Sequence, residues 1–216
     1  MPATRMLLVR HGQSEWNAAG RWQGQADPPL SDLGRLQARL AAHALPGVVG
    51  GTVDAVYASD LRRAAETAHV IAAELALGEV VLDRGLRERD AGEWSGLTRE
   101  EIDARYPGYL DPPEDRSGFA PTERKRPPGW EHDDRLLARA EEALLRIAGR
   151  VGGGDVLVVT HGGLIYTIET RRGAPFARLA NAEGRWVVAA DGSLELGERV
   201  LLLDDDDPRL TVPTQI

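Results

Sequence analysis

One device, used twice, narrows the fold of this chain more than any other feature. Leu7-Leu8-Val9 runs into Arg10 and then His11-Gly12; Leu157-Val158-Val159 runs into Thr160 and then His161-Gly162-Gly163. Each copy is a short, continuously apolar run of the kind buried on both faces, and such strands belong to parallel sheets covered by helices. The intervening sequence supplies those helices. Residues 31–44 predict a helix with Ser31 as N-cap and Leu33, Leu36, Leu40 and Ala44 on one face, stopped by Pro46-Gly47 and Gly50-Gly51. Residues 60–77, 131–151 (Leu136, Ala140, Leu144 and Ile147 on one stripe) and 162–171 predict three more, and Thr98 with Glu101 forms a capping box for a short one. Strands are expected at 53–58, 80–82 and 155–160, and a closing hairpin from 186–189 and 200–203, turned at Asp191-Gly192. Strands alternating with helices predict an α/β fold, a three-layer α/β/α sandwich on a mostly parallel sheet.

At 216 residues the chain is expected to form one domain over 1–203. An irregular insertion or lid falls at about 106–130, where Pro107, Pro112, Pro113, Pro121, Pro127 and Pro128 crowd together. Residues 204–216 read as an acidic, solvated and frayed tail.

Composition excludes several functions. Lys plus Arg is 26 and Asp plus Glu is 34, a net charge of −8, which disfavours nucleic acid as a partner and obliges an anionic ligand to find local cations. The absence of cysteine excludes thiolate catalysis and cysteine-ligated metals. No apolar run approaches the roughly 20 residues of a bilayer span, and residues 1–9 are too short for a secretory leader, so no membrane association and a cytoplasmic location are expected.

Ligands of open α/β sheets sit outside the carboxyl ends of the strands, so both histidines should emerge at one edge. The glycine after each allows a sharp turn or a close backbone approach. Gly162 also opens a helix whose N–H groups favour an anion. A lone histidine at a strand end is more often structural, but a matched pair with Arg10 beside it points to a site. A dinuclear metal centre is the rival use of two histidines; no H-x-H or H-E-x-x-H cluster accompanies them. Two further segments reach the same edge. Ser59-Asp60-Leu61-Arg62-Arg63 opens a helix with arginines where the dipole disfavours cations, unless one faces a bound anion or simply pairs with Glu66. Glu88, in a loop punctuated by Gly92 and Gly96, is a candidate general acid.

Together, Arg10-His11-Gly12 with Ser14 and Asn17, Ser59…Arg63-Ala64…Thr67, Glu88…Gly92…Trp94…Gly96, and His161-Gly162-Gly163 resemble the histidine phosphatase superfamily, the phosphoglycerate mutase-like proteins, over residues 5–203. The segment 22–31 is similar to the phosphatase branch, and 60–64 with 96–103 to its actinobacterial members, the glucosyl-3-phosphoglycerate phosphatases among them.

The resemblance implies a metal-independent phosphomonoesterase without cofactor, acting on a small phosphorylated metabolite. It implies His11 as the nucleophile that becomes phosphohistidine and Glu88 as proton donor. Arg10, Arg63, His161 and Asn17 would hold the phosphoryl oxygens, Gly162 lying at the same anion site, and Arg62 would be a surface residue. Gln23 and Gly24 would line the substrate pocket. His11 must then offer an unprotonated nitrogen, whereas His161 would serve best as a cation. Two alternatives share the scaffold: a cofactor-dependent phosphoglycerate mutase and a noncatalytic phosphoester-binding module. Self-association is expected as a homodimer. One departure stands out: the family's Gly-Gly-Glu-Ser motif corresponds to Pro128-Gly129-Trp130-Glu131, which leaves a supporting role there open. Arg116, Arg124, Lys125 and Arg126 of the insertion are candidate contacts for an anionic substrate. Trp16, Trp22, Trp94, Trp130 and Trp186 are expected in the core or pocket wall.

Overall fold

The computed structural model describes residues 2–110, 125–204 and 206–213. Its strands are β1 (Thr4–Arg10), β2 (Ala55–Ala58), β3 (Val80–Leu82), β4 (Gly154–Thr160), β5 (Glu183–Ala190) and β6 (Ser193–Leu201), joined in one sheet in the order β3-β2-β4-β1-β5-β6. The first four run parallel, and β5 and β6 add an antiparallel edge beside β1. Helices α2 (Asp32–Val49) and α3 (Arg62–Glu74) cover one face, where Leu7, Val9, Leu157 and Val159 meet Ala41, Leu45, Ala68 and Ile71. Helices α5 (Asp133–Val151) and α6 (Gly162–Arg171) cover the other, where Met6, Leu8, Val156 and Val158 meet Leu136, Leu144, Leu164 and Ile165. The alternation along β1 and β4 thus feeds two cores, and the chain is the three-layer α/β/α sandwich its pattern predicts.

A third, smaller core lies at the carboxyl edge and has no counterpart in the periodicity. Trp94, fully buried, meets Trp22 and Trp130 edge-on at centroid distances of 5.1 and 5.5 Å, and Ile102 of the short helix α4 (Arg99–Arg105) packs beneath. The capping box of Thr98 and Glu101 starts α4 as expected. Trp16 lies beside Gly96, and Trp186 belongs to the core under α2 and α3. The insertion at 106–130 enters the described structure only at its two ends; Arg116 and Arg124 lie outside the described residues.

Three expectations are corrected. Helix α2 does not stop at Pro46-Gly47 but carries Pro46 in its last turn and ends at Gly50, in the left-handed conformation at φ 76°. Proline there forfeits only its own N–H, and its carbonyl still accepts from Gly51 at 2.9 Å. The second hairpin strand begins at Ser193, not at residue 200. Asp191 (φ 49°) and Gly192 (φ 77°) form a two-residue turn of the mirror-image type, which makes pairing resume immediately. The described part of the tail, 206–213, is docked and not frayed: Leu210 packs on the α2/α3 core, and Thr211 bonds to Asn181.

Leu7, wholly enclosed between sheet and helices, should be costly to truncate. Leu7→Ala is expected to lower unfolding free energy by about 2–5 kcal/mol. Leu82→Ala, on the exposed edge strand β3, should change it by no more than about 0.5 kcal/mol; urea unfolding of both variants checks the contrast.

Candidate active site

The pairing of β1 with β4 sets the site. Arg10 lies opposite Thr160, and the His11 N–H donates to the Thr160 carbonyl at 3.0 Å, so the residue after each strand leaves the sheet at the same level. The rings of His11 and His161 meet edge-on, 5.1 Å apart between centroids. Both rings are buried, together with the side chains of Arg10 and Arg63.

Arg63 stands in the first turn of α3, and its Nε–H donates to His11 Nε2 at 3.2 Å. The two ends of its guanidinium are fixed by the carbonyls of Ala26 and Gly24, each at 2.8 Å. Arg62 turns outward to Glu66. Arg10 donates to the carbonyl of Leu179 at 2.7 Å, a residue whose own N–H donates to the Tyr166 hydroxyl. Glu88 follows a short 3-10 turn (Arg84–Leu86), and both its carboxylate oxygens accept backbone N–H bonds, from Arg89 at 2.7 Å and Gly163 at 2.9 Å. A side chain at Gly163 would come within 2.3 Å of the Glu88 carboxylate, which is why the second glycine after His161 has none.

The hydrogen bonds define the state of His11. Its Nδ1 lies 2.6 Å from the Gly12 carbonyl, which can only accept, so Nδ1 carries the proton and Nε2 keeps its lone pair toward Arg63. Burial, then the charges of Arg63 and Arg10, hold its pKa well below the ordinary 6.5. Burial, followed by Arg63 and His11, does the same to His161. In the unliganded fold this packing favours the neutral ring, so a cationic His161 needs an anion nearby to offset burial and the surrounding charge. Burial draws Arg63 down to about 10, against the pull of Glu88 and Asp27, so it remains charged at neutral pH.

Buried donors are left over. Among the described residues Arg10 Nε and both ring nitrogens of His161 have no hydrogen-bond partner, an arrangement that costs about 1–3 kcal/mol per group unless something fills it. Arg10 adjoins a cavity of about 190 Å³ that also reaches His11, Asn17, Arg63, Glu88 and Gly163, whereas His161 stands against the His11 ring and does not itself line it. Gly163 rather than Gly162 reaches the cavity wall. The side chain of Asn17 also caps the short helix α1 (Glu15–Ala18), accepting from the Ser14 N–H at 3.2 Å. Gln23 and Gly24 line the same cavity. Its outer wall is aromatic and cationic, with Trp22, Trp130, Phe176, Arg126 and Arg178.

Two further residues support the Glu88 loop, and one of them, Arg139, belongs to no motif. Arg139 of α5 donates to the carbonyls of Gly85, Arg87 and Glu88 and pairs through both ends with the Glu131 carboxylate. Burial would raise the Glu131 carboxyl, but Arg139 outweighs it and holds the group ionised. Glu131, of the departing Pro-Gly-Trp-Glu segment, thus stands behind the Glu88 loop. Arg139 lies in a regular helix eight residues from Glu131, and nothing in its local sequence distinguishes it.

Among the described residues no three His, Asp or Glu side chains converge as a metal site, and no helix is long and apolar enough to cross a membrane. The profile of the histidine phosphatase superfamily (branch 1) matches residues 6–183. A metal-independent phosphoserine phosphatase of Arabidopsis thaliana is 39% identical over 203 residues, covering 93% of this chain and 80% of the relative. A glucosyl-3-phosphoglycerate phosphatase of Mycolicibacterium vanbaalenii is 38% identical over 177 residues, 76% of this chain and 72% of the relative. The crystal structure of a phosphoglycerate mutase from Bacillus anthracis superposes with a TM-score of 0.74 at 26% identity, covering 91% of this chain and 92% of that one. On the extent of these matches, and with four motifs meeting in one buried cluster, the chain belongs to the histidine phosphatase superfamily.

Proposed function

We propose that this chain hydrolyses a small phosphate monoester without a metal, passing the phosphoryl group through Nε2 of His11. The observation that carries the reading is that nitrogen: free of a proton, buried, and held beside Arg63 at a cavity where Arg10 Nε lacks a partner. Phosphoryl transfer depends mainly on positioning and on cations facing the equatorial oxygens, and Arg10 and Arg63 supply the forked donors for this. The lone pair of Nε2 attacks phosphorus, the P–O ester bond breaks, and the leaving alkoxide takes a proton from the Glu88 carboxyl group. Water then attacks the phosphohistidine, Glu88 takes its proton, and the P–N bond breaks to release phosphate and the starting imidazole. Burial and then the charge of Arg63 disfavour protonation of His161, and a dianionic phosphoryl group held by Arg10 and Arg63 would offset the second of these. The aromatic and cationic outer wall supports an organic leaving group of metabolite size, and a cytoplasmic location suits such a substrate.

The reading is tested with a panel of sugar phosphates, phosphoserine and phosphoglycerates in the presence of EDTA, scored for free phosphate. Release of 2-phosphoglycerate from 3-phosphoglycerate with 2,3-bisphosphoglycerate, in place of phosphate, would indicate a mutase. Full loss of turnover with EDTA would overturn metal independence.

His11→Ala should lower kcat by at least about a thousand-fold with the fold retained, since it removes the covalent step. Glu88→Gln should cost alkyl phosphates at least about ten-fold more than p-nitrophenyl phosphate, whose phenolate leaves without a proton. Equal losses on both substrates would count against Glu88 as the acid. Stability should also fall on acidification. His11 and His161 have folded pKa values below 6.5, so the unfolded chain binds more protons under that pH. The loss begins near 6.5 and continues, at about 1.4 kcal/mol per pH unit per histidine, until the folded rings themselves protonate. Denaturant titrations between pH 7 and 5 should show a shallower slope for His161→Asn than for the wild type.

A further inference from the structure

The loop that carries His11 has no unpartnered main-chain group over its three residues. The His11 N–H donates to Thr160 and the His11 carbonyl accepts from Asn181 Nδ2 at 2.9 Å. The Gly12 N–H donates to Thr67 Oγ1 and its carbonyl receives the imidazole Nδ1–H. The Gln13 N–H donates to Gln37 Oε1 at 2.7 Å, and its carbonyl accepts from Ser31. The Gly12 carbonyl sets the tautomer of His11, and the peptides on either side of it are held by two side chains, Asn181 and Gln37, both fully buried.

Those two side chains converge on the tail. Gln37 Nε2 donates to the Arg209 carbonyl at 2.6 Å and to Thr211 Oγ1 at 2.9 Å. Thr211 Oγ1 donates in turn to Asn181 Oδ1 at 2.8 Å, and the Asn181 N–H donates to the Thr211 carbonyl at 2.8 Å. One hydroxyl is thus acceptor to Gln37 and donor to Asn181. Arg209 is locked to Asp207 by its backbone N–H and its guanidinium, and Pro213 is buried just beyond.

We propose that residues 209–213 form a positioning strap for the nucleophile, with Thr211 orienting Asn181 and Gln37 so that they hold the chain on both sides of Gly12. The strap touches no substrate and lies behind the loop; it acts on the direction of the imidazole, not on the phosphate ligands. The proposal rests on His11 being the nucleophile. Loss of the Thr211 hydroxyl leaves two buried amides partly unpartnered and frees the Gly12 peptide to tilt, while Arg10 and Arg63 keep their own carbonyl anchors.

The test compares Thr211→Val, Thr211→Ser and wild type, each assayed well below its melting midpoint. Thr211→Val should lose about ten-fold in kcat with KM changed less than about two-fold, and Thr211→Ser should restore kcat to within about two-fold. Hydrogen exchange should quicken at the Gln13 amide in Thr211→Val and stay unchanged in β4. Asn181→Asp, which turns an oxygen toward the His11 carbonyl, should reproduce the kcat loss and serves if Thr211→Val does not fold. Unchanged kcat in a folded variant, a loss confined to KM, or a serine that behaves as valine would overturn the strap. A wild type without turnover would overturn the phosphatase reading instead, and the exchange rates would still decide whether the tail holds the loop.

Discussion

Everything at the carboxyl edge depends on the register between β1 and β4. With Arg10 opposite Thr160, the next residue of each strand is a histidine, and the His11 N–H closes the ladder onto Thr160. A slip of one residue would turn every side chain of β1 to the other face, sending Leu7 and Val9 into the wrong core and carrying His11 away from His161. The register is secured twice over, by two apolar sets that each fit only their own helical layer. The energy that holds the catalytic geometry therefore resides in the sandwich and not in the site.

The site itself is electrostatically costly. Two guanidinium groups and two imidazoles share a space from which water is largely excluded. The fold limits the cost by keeping the imidazoles neutral and by giving each arginine carbonyl partners: Leu179 for Arg10, Ala26 and Gly24 for Arg63. Carboxylates stand further back. Glu183 faces Arg10 and pairs with Arg199, which also binds Glu169, fully buried and shared with Arg185. What is left uncompensated is Arg10 Nε, at the cavity wall, and the His161 ring behind His11.

Loops carry the site's remaining side chains, and tertiary contacts hold those loops. Arg139 and Glu131 brace the backbone of the Glu88 loop from α5. The first turn of α2 lies against the nucleophile loop so closely that a side chain at Gly12 would meet the Gly34 carbonyl at 2.4 Å. Glu88 and His11 are thus positioned from opposite layers of the sandwich, which is how one sheet edge can hold both in fixed orientations.

The two strand–His–Gly units, the capping box of Thr98 and the Asp191-Gly192 turn could be read from the sequence because each is governed by residues a few positions apart. The apolar runs alone determine a covered parallel sheet, and their polar ends determine which residues meet at its edge. The end of α2 lies beyond Pro46-Gly47 because a proline in a last turn costs one hydrogen bond, a penalty that packing overrides. Arg139, the neutral state of His161 and the docked tail left no local trace. The first braces a loop 51 residues away in the chain, the second follows from burial, and the third joins Gln37 to Thr211 across 174 positions. Sequence determined which chemistry is present, since periodicity and capping act over a few residues. Only the tertiary structure decided the charge on each group and what holds it in place, because desolvation and long-range hydrogen bonds exist only once distant segments are packed together.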